Sequence, residues 1–182
     1  MLTLLLGGAR SGKSRLAVEL AQRSKSPVTF IATAEARDED LTSRIARHRS
    51  ERPQEWRTVE EPIDLQHQIE AVPDDVIVID CLTLWVSNLF EHDVNEGEIV
   101  RRAEAIAQTA RTRSAEVIVV SNEVGSGIIP VDELSRHYRD ALGRVNASFS
   151  LSANTALLVV AGRTLTLSPA QSGRDFFNGS AT

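Results

Sequence analysis

Residues 7–14 read Gly-Gly-Ala-Arg-Ser-Gly-Lys-Ser, directly behind the apolar run Leu2–Leu6. A glycine, four residues and then Gly-Lys-Ser is the spacing of a loop that wraps a phosphate chain, and it works only between a strand and a helix. The run before it suits a buried strand. The Leu16, Ala17, Leu20, Ala21 stripe after it suits one face of a helix. Gly7 and Gly12 lack a Cβ, so the backbone of Gly7, Gly8, Ala9, Arg10, Ser11 and Gly12 can turn tightly and aim N–H groups at phosphate oxygens. Lys13 can reach the β- and γ-phosphates, and Ser14 can offer its hydroxyl to Mg²⁺. The helix beginning near Gly12 adds the positive end of its dipole.

This motif demands more parallel strands beside the first, and the chain supplies them. Val28–Ala32, Val76–Asp80, Val117–Ser121 and Ala156–Ala161 are nearly continuous runs of Val, Ile, Leu and Ala, as expected of strands buried on both faces. Helical stretches lie between them at Lys13–Arg23, Asp38–Ser50, Ile63–Ala71, Asn95–Arg113 and Asp132–Ser150. Alternation of this kind predicts an α/β, three-layer fold with right-handed crossovers. Arg163–Leu167 follows Gly162 closely enough to form an antiparallel edge strand. Residues 1–167 are thus expected to form a single nucleotide-binding domain. Residues 168–182, rich in Ser, Gly and Asn, are expected to be a flexible tail.

Composition removes several classes of function. A net charge of -5 argues against a general nucleic-acid binder. The lone cysteine, Cys81, cannot form an internal disulfide and reads as a small core residue. No stretch approaches the roughly 18 apolar residues of a membrane span, and the first apolar run has no basic region before it. These features together point to a cytoplasmic protein without a membrane span.

In open parallel sheets ligands sit beyond the carboxyl ends of the strands. Those ends carry the phosphate loop, Thr33-Ala34-Glu35, Asp80-Cys81 and Asn122-Glu123. Asp80 closes a hydrophobic strand and could hold Mg²⁺ opposite Ser14. Asn122 and Glu123, with Gly125 and Gly127, suit either a substrate or subunit contact or a structural turn. Arg136, Arg139, Asp140 and Arg144 suit a solvated or interface face. Trp56 and Trp85 are expected in packing. A second unusual segment gathers Arg44, Arg47, Arg49 and Arg52 around His48. Arg44, His48 and Arg52 fall at i, i+4 spacing. The spacing alone suits a solvated basic helix. A triphosphate grip is also physically coherent, its positive charge keeping the imidazole neutral and nucleophilic.

Five motifs in order resemble the bifunctional adenosylcobinamide kinase / adenosylcobinamide-phosphate guanylyltransferase family. They are Gly7–Ser14, Arg44-Ile-x-x-His48-Arg49 with Arg52-Pro53, and Trp56-x-Thr58 with Glu60. The other two are Asp80-Cys-Leu-Thr-Leu-Trp85 with Asn88, and Asn122-Glu-Val-Gly-x-Gly127 with Pro130. The likeness runs from Leu2 to about Gly162. It implies a P-loop NTPase (RecA-like) fold, and phosphorylation of adenosylcobinamide by ATP or GTP. It further implies transfer of GMP from GTP to adenosylcobinamide phosphate, releasing pyrophosphate. The resemblance makes His48 the nucleophile that carries GMP. It places Arg49, Ser50, Glu51, Arg52, Ala32, Thr33, Ala34, Glu60 and Asp80 against GTP, and it implies a homotrimer.

Two other readings compete. A P-loop small-molecule kinase without nucleotidyl transfer would give His48 no special role. A regulatory GTPase would carry an Asn/Thr-Lys-x-Asp motif, which this sequence lacks.

Overall fold

The computed structural model describes residues 1–35, 49, 52–72 and 74–168. Seven strands form one sheet: β1 (Leu2–Leu6), β2 (Val28–Ala32), β3 (Arg57–Glu60), β4 (Val76–Asp80), β5 (Val117–Val120), β6 (Thr155–Val160) and β7 (Arg163–Thr166). Their order is β3-β2-β4-β5-β1-β6-β7. Every neighbouring pair is parallel except β6 with β7, which run antiparallel. The expected α/β architecture, mostly parallel with an antiparallel C-terminal edge, is therefore present. β5 lies between the strand that feeds the phosphate loop and the strand that ends in Asp80.

The helices are α1 (Lys13–Ala21), α2 (Leu65–Ala71), α3 (Leu82–Glu91), α4 (Glu96–Thr112) and α5 (Glu133–Ser152). Strand side chains alternate between faces, and the core divides accordingly. Leu4, Ile31, Ile77, Ile79 and Val119 pack with α2, α3, α4 and α5 on one side. Leu5, Phe30, Val78, Ile118 and Val120 pack with Ala17 and Ala21 of α1 on the other. Burial on both faces is why these strands are apolar throughout. Each fully buried Leu or Ile contributes about 1.5–3 kcal/mol.

Several element boundaries differ from the sequence expectation by one or two residues, and two elements are new. α2 starts at Leu65 rather than Ile63, because Asp64 is its cap: the carboxylate accepts from His67 N at 3.1 Å. α1 ends at Ala21, and α5 runs on to Ser152. β3 adds a parallel edge strand beside β2. α3 occupies the stretch immediately after Asp80. The expected helix over Asp38–Ser50 lies outside the described residues apart from Arg49, as does the expected tail beyond Ser168.

Candidate active site

The phosphate loop is braced from three directions. Gly7 has φ +151, and a Cβ there would drive into the carbonyl of Val159 on β6. Gly12 has φ +103, a left-handed conformation that favours glycine. Glu123 N donates to Gly7 O at 3.1 Å, joining the end of β5 to the loop. Gly162 N, in the β6–β7 turn, donates to Ser11 O at 2.9 Å. Lys13 closes the loop from inside. Its Nζ donates to Gly7 O at 2.9 Å and Gly8 O at 2.7 Å. Burial pulls the Lys13 pKa down, and the negative charge of Asp80 opposes that shift. Gly8, Ala9 and Arg10 remain exposed as the outer lip.

Against α1 lies a cleft of about 540 Å³, walled partly by Arg15, Val18, Glu19 and Gln22. Ser14 and Asp80 both line it, as do Arg52 and Phe30. A hydroxyl and a carboxylate on one cleft wall are hard oxygen donors. They suit Mg²⁺, which takes one or two protein ligands and completes its shell with phosphate and water. No group of three or more His, Cys, Asp or Glu occurs among the described residues, so a dedicated all-protein metal cage is absent there. The Arg52 guanidinium lies 3.6 Å from the Phe30 ring centroid. Stacking of this kind presents a guanidinium toward the cleft at fixed height. The exposed Arg49 is 3.9 Å from Glu60 at the end of β3, an ion pair worth little by itself.

Ala32, Thr33 and Ala34 follow one another where β2 ends. Thr33 is fully buried and structurally committed. Its Oγ1 donates to Cys81 O at 2.7 Å and accepts from Cys81 N at 2.8 Å. It thereby ties the end of β2 to the end of β4. Arg44, His48, Ser50 and Glu51 lie outside the described residues.

Comparison with known proteins decides the family. The family model for cobinamide kinase / cobinamide phosphate guanyltransferase matches residues 3–167. The chain belongs to that family. It is 42% identical to a bifunctional adenosylcobalamin biosynthesis protein of Pseudomonas aeruginosa, over 89% of this chain and 94% of that one. It is 39% identical to the Escherichia coli protein of the same description, over 89% and 97%. A solved Pyrococcus horikoshii protein, described only as a structural study, superposes with TM-score 0.57 over 93% of this chain and 87% of that one. At 10% identity that likeness speaks to the fold alone.

Within this family member, several residues marked by sequence have settled structural tasks. Cys81 is not poised as a nucleophile: burial pushes its thiol up to about 11, and neighbouring Asp80 adds to the effect. Trp85 is fully buried and donates from Nε1 to Ile63 O at 2.9 Å, so it packs rather than stacks on a ligand. Asn122 uses its backbone, donating to Thr83 Oγ1 at 2.8 Å and accepting from Asn146 Nδ2 at 3.0 Å. Arg136 donates to the carbonyls of Pro130 and Val131, and Arg144 pairs with Glu96 at 3.2 Å. The sequence reading missed Phe30, which looked like one more strand residue. It also missed Asn146, Thr83 and Ser121 as a buried polar group joining α5, α3 and β5. An asparagine and a threonine at helix positions otherwise facing a core were the available signal.

Proposed function

We propose that this chain is a bifunctional enzyme of adenosylcobalamin biosynthesis. It phosphorylates adenosylcobinamide with ATP or GTP, then transfers GMP from GTP to the new phosphate, forming adenosylcobinamide-GDP and pyrophosphate. The observation that carries this reading is the convergence of Ser14, Asp80 and Arg52 on one cleft beside α1, the helix that follows the phosphate loop, in a chain matched to the family from residue 3 to 167.

In the kinase step the substrate hydroxyl attacks the γ-phosphorus. Its proton is lost and the nucleoside diphosphate leaves. Catalysis here is mostly positioning and charge stabilisation, supplied by the loop amides and Lys13. Glu60 or Asp80 orients the hydroxyl. Ser14 and Asp80 would hold Mg²⁺, which would neutralise charge on the phosphate oxygens. In the second step the His48 imidazole attacks the α-phosphorus, the P–O bond to pyrophosphate breaks, and GMP is left on nitrogen. The substrate phosphate then displaces the imidazole. One hard displacement becomes two easier ones. Arg49 and Arg52, with Ser50 and Glu51, grip the triphosphate, while the turn Ala32–Ala34 lies under the nucleotide. The protein is proposed to be a cytoplasmic homotrimer. No helix among the described residues is long and apolar enough to cross a membrane.

GTP labelled at the α-phosphate tests the reading. Wild type is expected to take up acid-labile, alkali-stable label, and His48→Ala is expected to take up none while still phosphorylating adenosylcobinamide. An unlabelled wild type with Mg²⁺ present would sink the guanylyl half. A folded His48→Ala enzyme that loses both activities equally would remove the nucleophile assignment.

A further inference from the structure

We propose that Asn122 is a further catalytic residue of the phosphoryl-transfer step, its side-chain Nδ2 donating to an oxygen of the terminal phosphate that Lys13 grips. Asn122 then belongs to the kinase half of the function proposed above, on which this role rests.

The sheet order singles the residue out. Among the described strands β5 alone is bonded both to β1, which feeds the phosphate loop, and to β4, which ends in Asp80. Val120 registers with Leu5 on one side and with Asp80 on the other. The ladder to β1 continues past the end of the strand. Ser121 N donates to Leu5 O at 2.9 Å, and Glu123 N donates to Gly7 O at 3.1 Å. The offset is unchanged, so Asn122 comes level with Gly7, the first residue of the loop.

Its face follows from alternation along an extended chain. Val120 packs with Ala17 and Ala21 of α1. Ser121 is fully buried and points the other way, its Oγ donating to Asn146 Oδ1 of α5 at 2.6 Å. Asn122 therefore turns its side chain back to the α1 face. Asp80 follows Val76 and Val78 on that same face. The backbone of Asn122 is held from the opposite layer: N donates to Thr83 Oγ1 at 2.8 Å, and O accepts from Asn146 Nδ2 at 3.0 Å. The residue is thus fixed without using its side chain. That amide makes no hydrogen bond to any described residue, and Asn122 is partly exposed. Its two N–H donors are left to a ligand or to water.

Lys13 sets what arrives there. Its Nζ bonds the carbonyls of Gly7 and Gly8 at the end of β1, and the negative charges of Asp80 and Cys81 at the end of β4 act on it. The ammonium accordingly lies between the two strand ends, beyond the end of β5. A triphosphate in this kind of loop brings its outer phosphates to the lysine, and so to the amide beside it. A neutral donor suits the place. It bonds the charge that spreads over the phosphoryl oxygens without weakening the hold of Asp80 on a cation.

The experiment compares Asn122→Ala and Asn122→Asp with wild type, using ATP throughout because it leaves the guanylyl step idle. With adenosylcobinamide present, the kinase kcat of Asn122→Ala should fall by at least about tenfold, the low end for loss of one transition-state donor. Asn122→Asp should fall further, because a carboxylate there repels the phosphate. With no corrinoid present, equilibrium dialysis with MgATP and MgADP should show wild type preferring the triphosphate. Asn122→Ala should lose about tenfold of that preference with its ADP affinity unchanged. A residue that only shapes the turn predicts the opposite order of variants, since Asp has the shape of Asn and would keep more activity than Ala. That order, an equal loss of ATP and ADP affinity, or wild-type kcat in Asn122→Ala would each overturn the proposal. Should Asn122→Ala fail to fold, Asn122→Asp carries both readouts. Wild type that does not phosphorylate adenosylcobinamide refutes the kinase reading itself, and the ratio of ATP to ADP affinity then still decides whether Asn122 meets the terminal phosphate.

Discussion

Lys13 is the only charged side chain among the described residues that is buried, at 6% exposure. Its two short bonds to the carbonyls of Gly7 and Gly8 hold the curve of the loop from inside. The same ammonium can turn to a triphosphate when one arrives. Lys13→Ala removes both services, so both half-reactions are expected to fall by about 10²–10³-fold in kcat, the usual cost of one transition-state donor. Steady-state rates for each step would check this, and normal turnover in either would contradict a shared grip. Cys81 gives the opposite kind of prediction. With its thiol held near 11 rather than 9, it stays protonated and inert at neutral pH. Alkylation of the folded protein by iodoacetamide should rise with pH toward a midpoint near 11. The linkage has a definite sign. The unfolded thiol ionises first, so this group's contribution to stability is intact below pH 9 and is lost as pH climbs toward 11. A midpoint near 8 in the folded protein would show an activated cysteine instead.

The elements show what a sequence can and cannot announce. β1, β2 and β4 are legible to the residue because each is apolar on both faces. β3 is not, because Arg57-Thr-Val-Glu60 is a short edge strand with charged ends, and only its pairing to β2 makes it a strand. α3 is hidden for the reverse reason. Its buried apolar residues, Leu82, Trp85, Val86 and Leu89, do follow helical spacing, but Leu84 and Phe90 blur the pattern and Thr83, Trp85, Val86 and Phe90 favour strands. The site divides the same way. The loop glycines, Lys13, Ser14 and Asp80 are readable from motif spacing, whereas Phe30 beneath Arg52 and the bonds from the Asn88 amide to Thr33 O and Pro62 O exist only through tertiary contact. The β6–β7 turn offers a test at this scale. Ala161 has φ +50 and Gly162 φ +75, the paired positive angles of a type I′ hairpin. Alanine tolerates that conformation poorly, and Asn-Gly is the preferred pair. Ala161→Asn is therefore expected to raise stability by about 0.5–1 kcal/mol in urea unfolding. Gly162→Val should lower it by at least as much and loosen the bond to Ser11 O. An Ala161→Asn protein no more stable than wild type would show that the turn is not strained.

At the scale of the whole molecule, the two helical layers share one sheet, and alternate residues of the same strands serve both. That arrangement should make them a single cooperative unit. The two tryptophans happen to report on opposite layers. Trp85 lies at the centre of the cluster under α2, α3, α4 and α5, and Trp56 packs against the cluster under α1. In Trp56→Phe the remaining emission comes from Trp85, and in Trp85→Phe it comes from Trp56. Each variant's fluorescence midpoint in urea should coincide with its own far-UV circular dichroism midpoint at fixed protein concentration. Trp85→Phe should unfold at lower urea, because Ile63 O loses its donor and the buried site is left underfilled. Its two probes should nevertheless move together. If Trp56 were to report an earlier transition while the helix signal persists, the α1 face would be separable from the rest. The phosphate loop, which stands between β1 and α1 on that face, would then owe its shape to β6 and β5 alone. Coincidence would mean instead that a substitution on either face reaches the loop through the strands themselves.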